Sequence, residues 1–392
     1  MKTSSWELGT RSQAILELNA TTYSVFSKTS LPPPKSVQQN TVNPLSPFFA
    51  IARSTVQGRA QSNNYTVGPQ PLIQDGSAGD PASIGVSVLL ANWTGQDGGK
   101  INYGSAAKDQ LDFLLQKVPR TSDGAISHHV DMVQLWSDFV YMVPPFLAYY
   151  GVIAQNRTLL EESYTQIKLY RTYLRDPTAN MWKHVLLGTS GNDEGYWSTG
   201  NGWAAAGMLR VLATIRQSQY ANTMKSEQND LITWVGEIQS GIYATLDSTN
   251  ILTNYANQPA TAPGNFYDAA STAIIASTVY RLAVIANKHS HLPAAERSRK
   301  TLYNSTGTNT NTLENYTHFT ANGWLLPVVN PLSVGQEGRE SPEAQAFVIE
   351  MHAAWKDWVA AGSKGANAAE IVQPCTMWGC LALVGLVVGL VG

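Results

Sequence analysis

Apolar residues along this chain recur at steps of three and four, with no sustained alternation of apolar and polar positions. That periodicity predicts helices over residues 6–27, 46–58, 82–92, 105–117, 132–150, 157–174, 202–217, 225–246, 267–287, 293–303 and 342–361, and no convincing strand. The connections are long and rich in Gly, Asn, Pro and Thr, notably 60–81, 94–104, 176–200, 251–266 and 304–341. Ordered connections of that length commonly carry function. Eleven helices, with room for one more, pair into six helical hairpins, and closing such pairs into a ring leaves one rim of loops. Residues 1–45 read as a first helix with an irregular connection, 46–366 as a single helical domain, and 367–392 as a separate apolar tail.

Composition narrows the partners. Hydrophobic residues make up 43% of the chain, enough for a sizeable core, while charged residues are only 14%, against roughly 25% in an average soluble protein. A net charge of −2 leaves no basic stripe for phosphates, which argues against nucleic acid. The two cysteines, Cys375 and Cys380, supply neither a disulfide framework nor a thiolate metal cluster. Six Asn-x-Thr sequons, at Asn19, Asn64, Asn92, Asn156, Asn304 and Asn315, are a weak pointer to secretion. Met1-Lys2 is followed by no apolar h-region. Residues 381–392 carry no charge and are too few to span a bilayer, which takes about 20 apolar residues. With Asn367-Ala368-Ala369 and a spacer before it, the tail fits a GPI-attachment signal; a buried final helix is the other reading. The expectation is a monomer outside the cell or at its surface, attached to membrane only through the tail, with a cytoplasmic location as the alternative.

The chemistry has few candidates. Asp138 is the lone carboxylate in the apolar stretch 134–150, and a helix there sets it on one face with Leu135, Tyr141 and Met142. Burial disfavours the charged form, so its pKa is expected to rise, as a general acid requires. Pro144-Pro145 is expected to end or kink that helix. Asp131 lies two turns upstream, about 10 Å away, further than the roughly 5 Å of a retaining carboxylate pair, and reads as a cap or a solvated residue. His128 and His129 have no third ligand beside them, so hydrogen bonding to sugar is favoured over metal. His184, in Trp182-Lys183-His184, can orient a hydroxyl or carboxylate. The block from Trp197 to Trp203 combines two indoles, suited to sugar faces, with Gly200 and Gly202 at the entry to a helix. Asp268 and Ser341 read as helix caps, with Glu343 and Gln345 close to the second.

Four motifs in order give a resemblance over about residues 75–360: Leu135 to Met142, Trp197 to Trp203, Asp268 to Ala273, and Ser341 to Phe347. Together they resemble the unsaturated glycuronyl hydrolases, glycoside hydrolase families 88 and 105, above all the rhamnogalacturonyl branch. The resemblance implies an all-α (α/α)6 barrel, no cofactor, no metal, and an oligosaccharide substrate carrying the 4,5-unsaturated uronic acid that a lyase leaves at a chain end. It also implies that Asp138 protonates C4 of the vinyl ether and helps water add at C5. His184, Trp197 and His128 or His129 would line the sugar site, with Trp136, Tyr141, Thr199, Asn201 and Trp203 from the same motifs. Where the family often has Arg, this chain has Thr199, which cannot make a bidentate charged pair. A glycosidase or epimerase on the same barrel acting on saturated glycans, or a non-catalytic carbohydrate-binding protein, stays open.

Overall fold

The computed structural model describes residues 4–35, 44–305, 315–333 and 335–366. The tail 367–392, with its predicted attachment signal, lies outside the described residues. Eleven α-helices occur among the described residues: α1 Ser5–Asn19, α2 Ser46–Ser62, α3 Gly85–Trp93, α4 Tyr103–Gln116, α5 Phe139–Ile153, α6 Arg157–Leu174, α7 Ser198–Gln217, α8 Lys225–Tyr243, α9 Ala269–Ala286, α10 Leu292–Leu302 and α11 Pro342–Ala360. Each falls on a predicted segment. The extended structure amounts to two-residue strands: β1 Leu135–Trp136, β2 Arg175–Asp176, β3 Met181–Trp182, β4 Val185–Leu186, β5 Val328–Val329 and β6 Glu337–Gly338. They pair antiparallel as β1–β4, β2–β3 and β5–β6.

Helix starts follow local capping chemistry. The Asn156 side chain accepts from Leu159 N ahead of α6, Asp268 accepts from Ala270 N and Ser271 N ahead of α9, and Ser341 accepts from Ala344 N ahead of α11. Each satisfies backbone donors that a helix otherwise leaves bare.

The chain forms two compact units, Met1–Gly195 with Trp203–Ile238, and Tyr196–Gly202 with Gln239–Gly392. In the first, the predicted helix over 132–150 is corrected in two ways. Its first residues pair with β4, and α5 begins only at Phe139. The polar groups of 134–137 are met across the chain, by His128 N donating to the Gln134 carbonyl (2.8 Å) and Ser137 N to the His184 carbonyl (2.9 Å). Pro144 and Pro145, expected to end or kink the helix, lie inside it. Without N–H groups they leave the Val140 and Tyr141 carbonyls short of their usual helical donors. Arg210 on α7 donates to the Tyr141 carbonyl at 3.1 Å and lays its guanidinium 4.6 Å over the Tyr141 ring. Gly207, one turn earlier, lies so close to α5 that a Cβ there would sit 2.0 Å from the Val140 oxygen. Only glycine permits that approach.

In the second unit α9 is buried along nearly its whole length and packs against α10 and α11. It has the length and composition to cross a membrane, yet 83% of it is buried within the protein, which marks a core helix. Tyr280 donates to Glu296, which also accepts from Arg299 (2.8 Å), and Arg281 pairs with Asp357 on α11.

Candidate active site

The β1–β4 ladder sets the centre of the site. Trp136 pairs with Val185, so Asp138 just beyond β1 and His184 just before β4 fall side by side. Asp138 Oδ2 lies 3.5 Å from His184 Nε2 and accepts from the Ser137 hydroxyl at 3.0 Å. The other imidazole nitrogen of His184, Nδ1, is 2.9 Å from Asp193 Oδ2. Asp193 is held by reciprocal backbone bonds with Val185, of 2.8 and 2.9 Å, and its Oδ1 accepts from Gly195 N at 2.9 Å.

Trp136 touches two histidines. Its ring stacks on His128, with centroids 5.1 Å apart at 24°, and meets His184 edge-on at 5.4 Å. The indole N–H donates to Gln134 Oε1 (2.9 Å), which fixes the ring. His128 Nε2 lies 3.2 Å from the Ser77 hydroxyl and 3.5 Å from Asp80 Oδ1, on the segment leading to α3.

The electrostatics correct the expectation for Asp138. Burial does push its carboxyl up, but hydrogen bonding and charge from His184, with the Ser137 hydroxyl, outweigh burial and hold it below the ordinary carboxylate range. His184 mirrors this: burial alone would lower it, and Asp138 and Asp193 instead raise it to about 9. His128, where burial prevails, falls to about 4. Asp80 is driven well above the usual carboxylate range by burial, reinforced by the charges of Asp75 and Asp138. At neutral pH the site therefore pairs an ionised Asp138 with a cationic His184, beside a neutral His128.

The structure brings together His128, Trp136, Asp138 and His184 of the predicted residues. His129 is turned elsewhere: its Nδ1 accepts from Asp131 N at 3.3 Å. Tyr141 and Trp203 are a correction, since both are fully buried and pack ring to ring at 4.4 Å, bracing α5 against α7. Trp197, Thr199 and Asn201 belong to the second unit. Thr199 is buried and donates to Asp268 Oδ2 at 3.0 Å, so its hydroxyl supports the α9 cap and is not presented to a ligand. Asn201 is likewise buried, donating to the Trp197 carbonyl (3.0 Å), and the Trp197 indole donates to Asn254 (2.8 Å). Asp80 and Asp193 are additions that the sequence reading missed. Asp80 precedes Pro81 and looks like an ordinary turn; Asp193 sits in the Gly-rich run 188–195 and looks solvated. The one local signal was spacing, since a short hairpin after His184 returns Asp193 to its side. Among the described residues, no three His, Cys, Asp or Glu side chains converge as a metal site.

Residues 77–322 match Glycosyl Hydrolase Family 88. The unsaturated rhamnogalacturonyl hydrolase YesR of Bacillus subtilis is 29% identical over 142 residues, which is 34% of this chain and 40% of that relative, so the matched part spans well under half of its length. Among solved structures, a possible GH105 member from Klebsiella pneumoniae superposes with a TM-score of 0.64 at 16% identity, over 90% of this chain and 82% of its own. The unsaturated glucuronyl hydrolase of Bacillus sp. GL1, described as responsible for the degradation of glycosaminoglycan, gives 0.52 at 11% identity, over 89% and 94%. At these identities the structural likeness establishes the fold, the all-α six-hairpin architecture expected from the sequence.

Proposed function

The chain belongs to Glycosyl Hydrolase Family 88, and from that premise we propose that it removes 4,5-unsaturated uronic acid residues from the non-reducing ends of lyase-generated, rhamnogalacturonan-type oligosaccharides. The observation that carries the reading is the Asp138–His184 pair, 3.5 Å apart and walled by Trp136. Hydration of a vinyl ether needs one group that first gives a proton and then takes one. The Asp138–His184 pair shares one titratable proton near neutral pH, which suits both halves of that task.

Asp138 donates to C4 of the unsaturated ring. Water then bonds to C5 and returns a proton to the Asp138 carboxylate, and the resulting hemiketal opens to release the sugar. Asp138 is ionised without substrate, but a bound uronate carboxylate is a like charge, which raises the pKa of Asp138 and moves it towards the acid form. The half-buried Trp136 indole offers apolar surface to a sugar, and Asp80 a polar group beside His128. The six sequons and the apolar tail support a location outside the cell or at its surface.

The direct test is to follow the ultraviolet absorbance of the double bond as purified protein meets unsaturated rhamnogalacturonan disaccharide. The absorbance is expected to fall, and Asp138→Asn is expected to bind the disaccharide while losing at least 10²-fold in kcat, the scale on which acid–base groups act. No decrease with rhamnogalacturonan or glucuronan products would redirect attention to saturated glycans or to binding without turnover.

A further inference from the structure

We propose that Asp193 is a positioning residue that fixes the tautomer of His184, so that the Nε2 of His184 stores the proton with which Asp138 is recharged. The inference deepens the reading of Asp138 as the proton-transferring carboxyl and rests on it. An ionised carboxylate can only accept a hydrogen bond. With Asp193 Oδ2 2.9 Å from Nδ1, that nitrogen carries a hydrogen in both charge states of the ring. The proton gained and lost is then the one on Nε2, which faces Asp138 Oδ2. A carboxylate behind an imidazole performs the same service in hydrolase triads, where it sets tautomer and orientation without itself being protonated.

Asp193 is well placed to do this. Its backbone is paired both ways with Val185, the residue after His184, and its second oxygen is occupied by Gly195 N. Imidazole and carboxylate therefore share one short, cross-braced segment and cannot drift apart independently. The groups facing His184 are Asp138, Asp193 and the Trp136 ring, on which His128 also stacks. The adjacent Lys183 is turned away to pair with Glu194.

The proton balance is simple. The imidazolium Nε2–H bond breaks and an Asp138 O–H bond forms, leaving a neutral imidazole and an un-ionised acid. That proton goes to C4. Water adding at C5 loses a proton to Asp138, which passes it back to Nε2, so water is the sole co-reactant. The anionic substrate supplies the drive for the first transfer, and the 3.5 Å gap shortens to hydrogen-bond contact as the site fills.

Two measurements on the full chain test this, and the first needs no turnover. Nitrogen-15 NMR of imidazole-labelled protein is expected to show His184 titrating near 9, with the hydrogen on Nδ1 in the neutral form. An ordinary titration near 6.5, or a neutral form protonated at Nε2, would overturn the proposal even if no variant folds. The second compares Asp193→Asn with Asp193→Glu. The Asn variant is expected to move the His184 titration down by more than about one unit, carry the alkaline limb of kcat/KM with it, and cost on the order of 10²-fold in kcat with little change in KM. The Glu variant, which keeps an accepting carboxylate, is expected to recover part of the loss. A titration and alkaline limb unmoved in Asp193→Asn would sink the idea. Should the double bond not be consumed at all, the proposed reaction fails, while the NMR still decides whether Asp193 governs the imidazole.

Discussion

A buried acid can be made or unmade by its immediate partners. Asp138 lies in surroundings that should keep it protonated, yet His184 reverses that, and Asp80 is the carboxyl that burial drives upward. Such a group costs stability above the ordinary carboxylate range, because the unfolded chain gives up the Asp80 proton more readily than the folded one. Asp80→Asn, similar in shape but without charge to suppress, is therefore expected to raise the melting temperature at pH 7 to 8 while lowering turnover; a lowered melting temperature would show that enclosing the Asp80 carboxyl carries no such cost. At this scale the sequence was legible where a residue type is distinctive. Asp138 alone in an apolar run, His128, His184 and Trp136 could all be found by inspection. Asp80 and Asp193 could not, because short loops rich in Gly, Pro and Asp look alike until packing decides which carboxylate is enclosed.

Helix α5 shows where periodicity succeeds and where it fails. Apolar residues at helical spacing run from 132 onward, but period cannot tell a helix from a short strand when both are fully buried. The partner that claims Leu135 and Trp136 lies some fifty residues later, at Val185 and Leu186. Most other helices are readable from pattern and caps, α6 to the residue, whereas α1 stops at Asn19, well short of the predicted residue 27. The proline pair is accommodated inside α5 because its cost is met by Arg210 and Gly207 on another helix. Gly207→Ala tests that contact. A methyl group 2.0 Å from the Val140 oxygen must push α5 and α7 apart, and overpacking of this kind costs about 1–3 kcal/mol. Urea denaturation should register the loss, whereas an unchanged midpoint would mean that the helices separate freely. Since Tyr141 N donates to the Asp138 carbonyl, activity is expected to fall along with stability.

For the molecule as a whole, the site links folding to pH. His184 has a folded pKa of about 9 against roughly 6.5 unfolded. The stability it contributes is complete below pH 6.5 and is lost as pH rises through 9, on the order of 3 kcal/mol at the limit. Wild type should therefore exceed His184→Gln in denaturant midpoint by more at pH 6 than at pH 10; a gap that stays constant would place His184 outside this linkage. Folding also carries a constraint of timing. The seven residues Tyr196–Gly202 belong to the second unit although the chain on both sides of them belongs to the first. Their partners, Thr253 and Asn254 for Ser198 and Trp197, emerge from the ribosome more than fifty residues later. During synthesis the conspicuous Trp-Ser-Thr-Gly-Asn-Gly-Trp segment must wait, unsheltered, while the helices around it are already being made. A nascent chain halted before Thr253 should accordingly leave Trp197 open to solvent and quenchers, and one halted well after Asp268 should not.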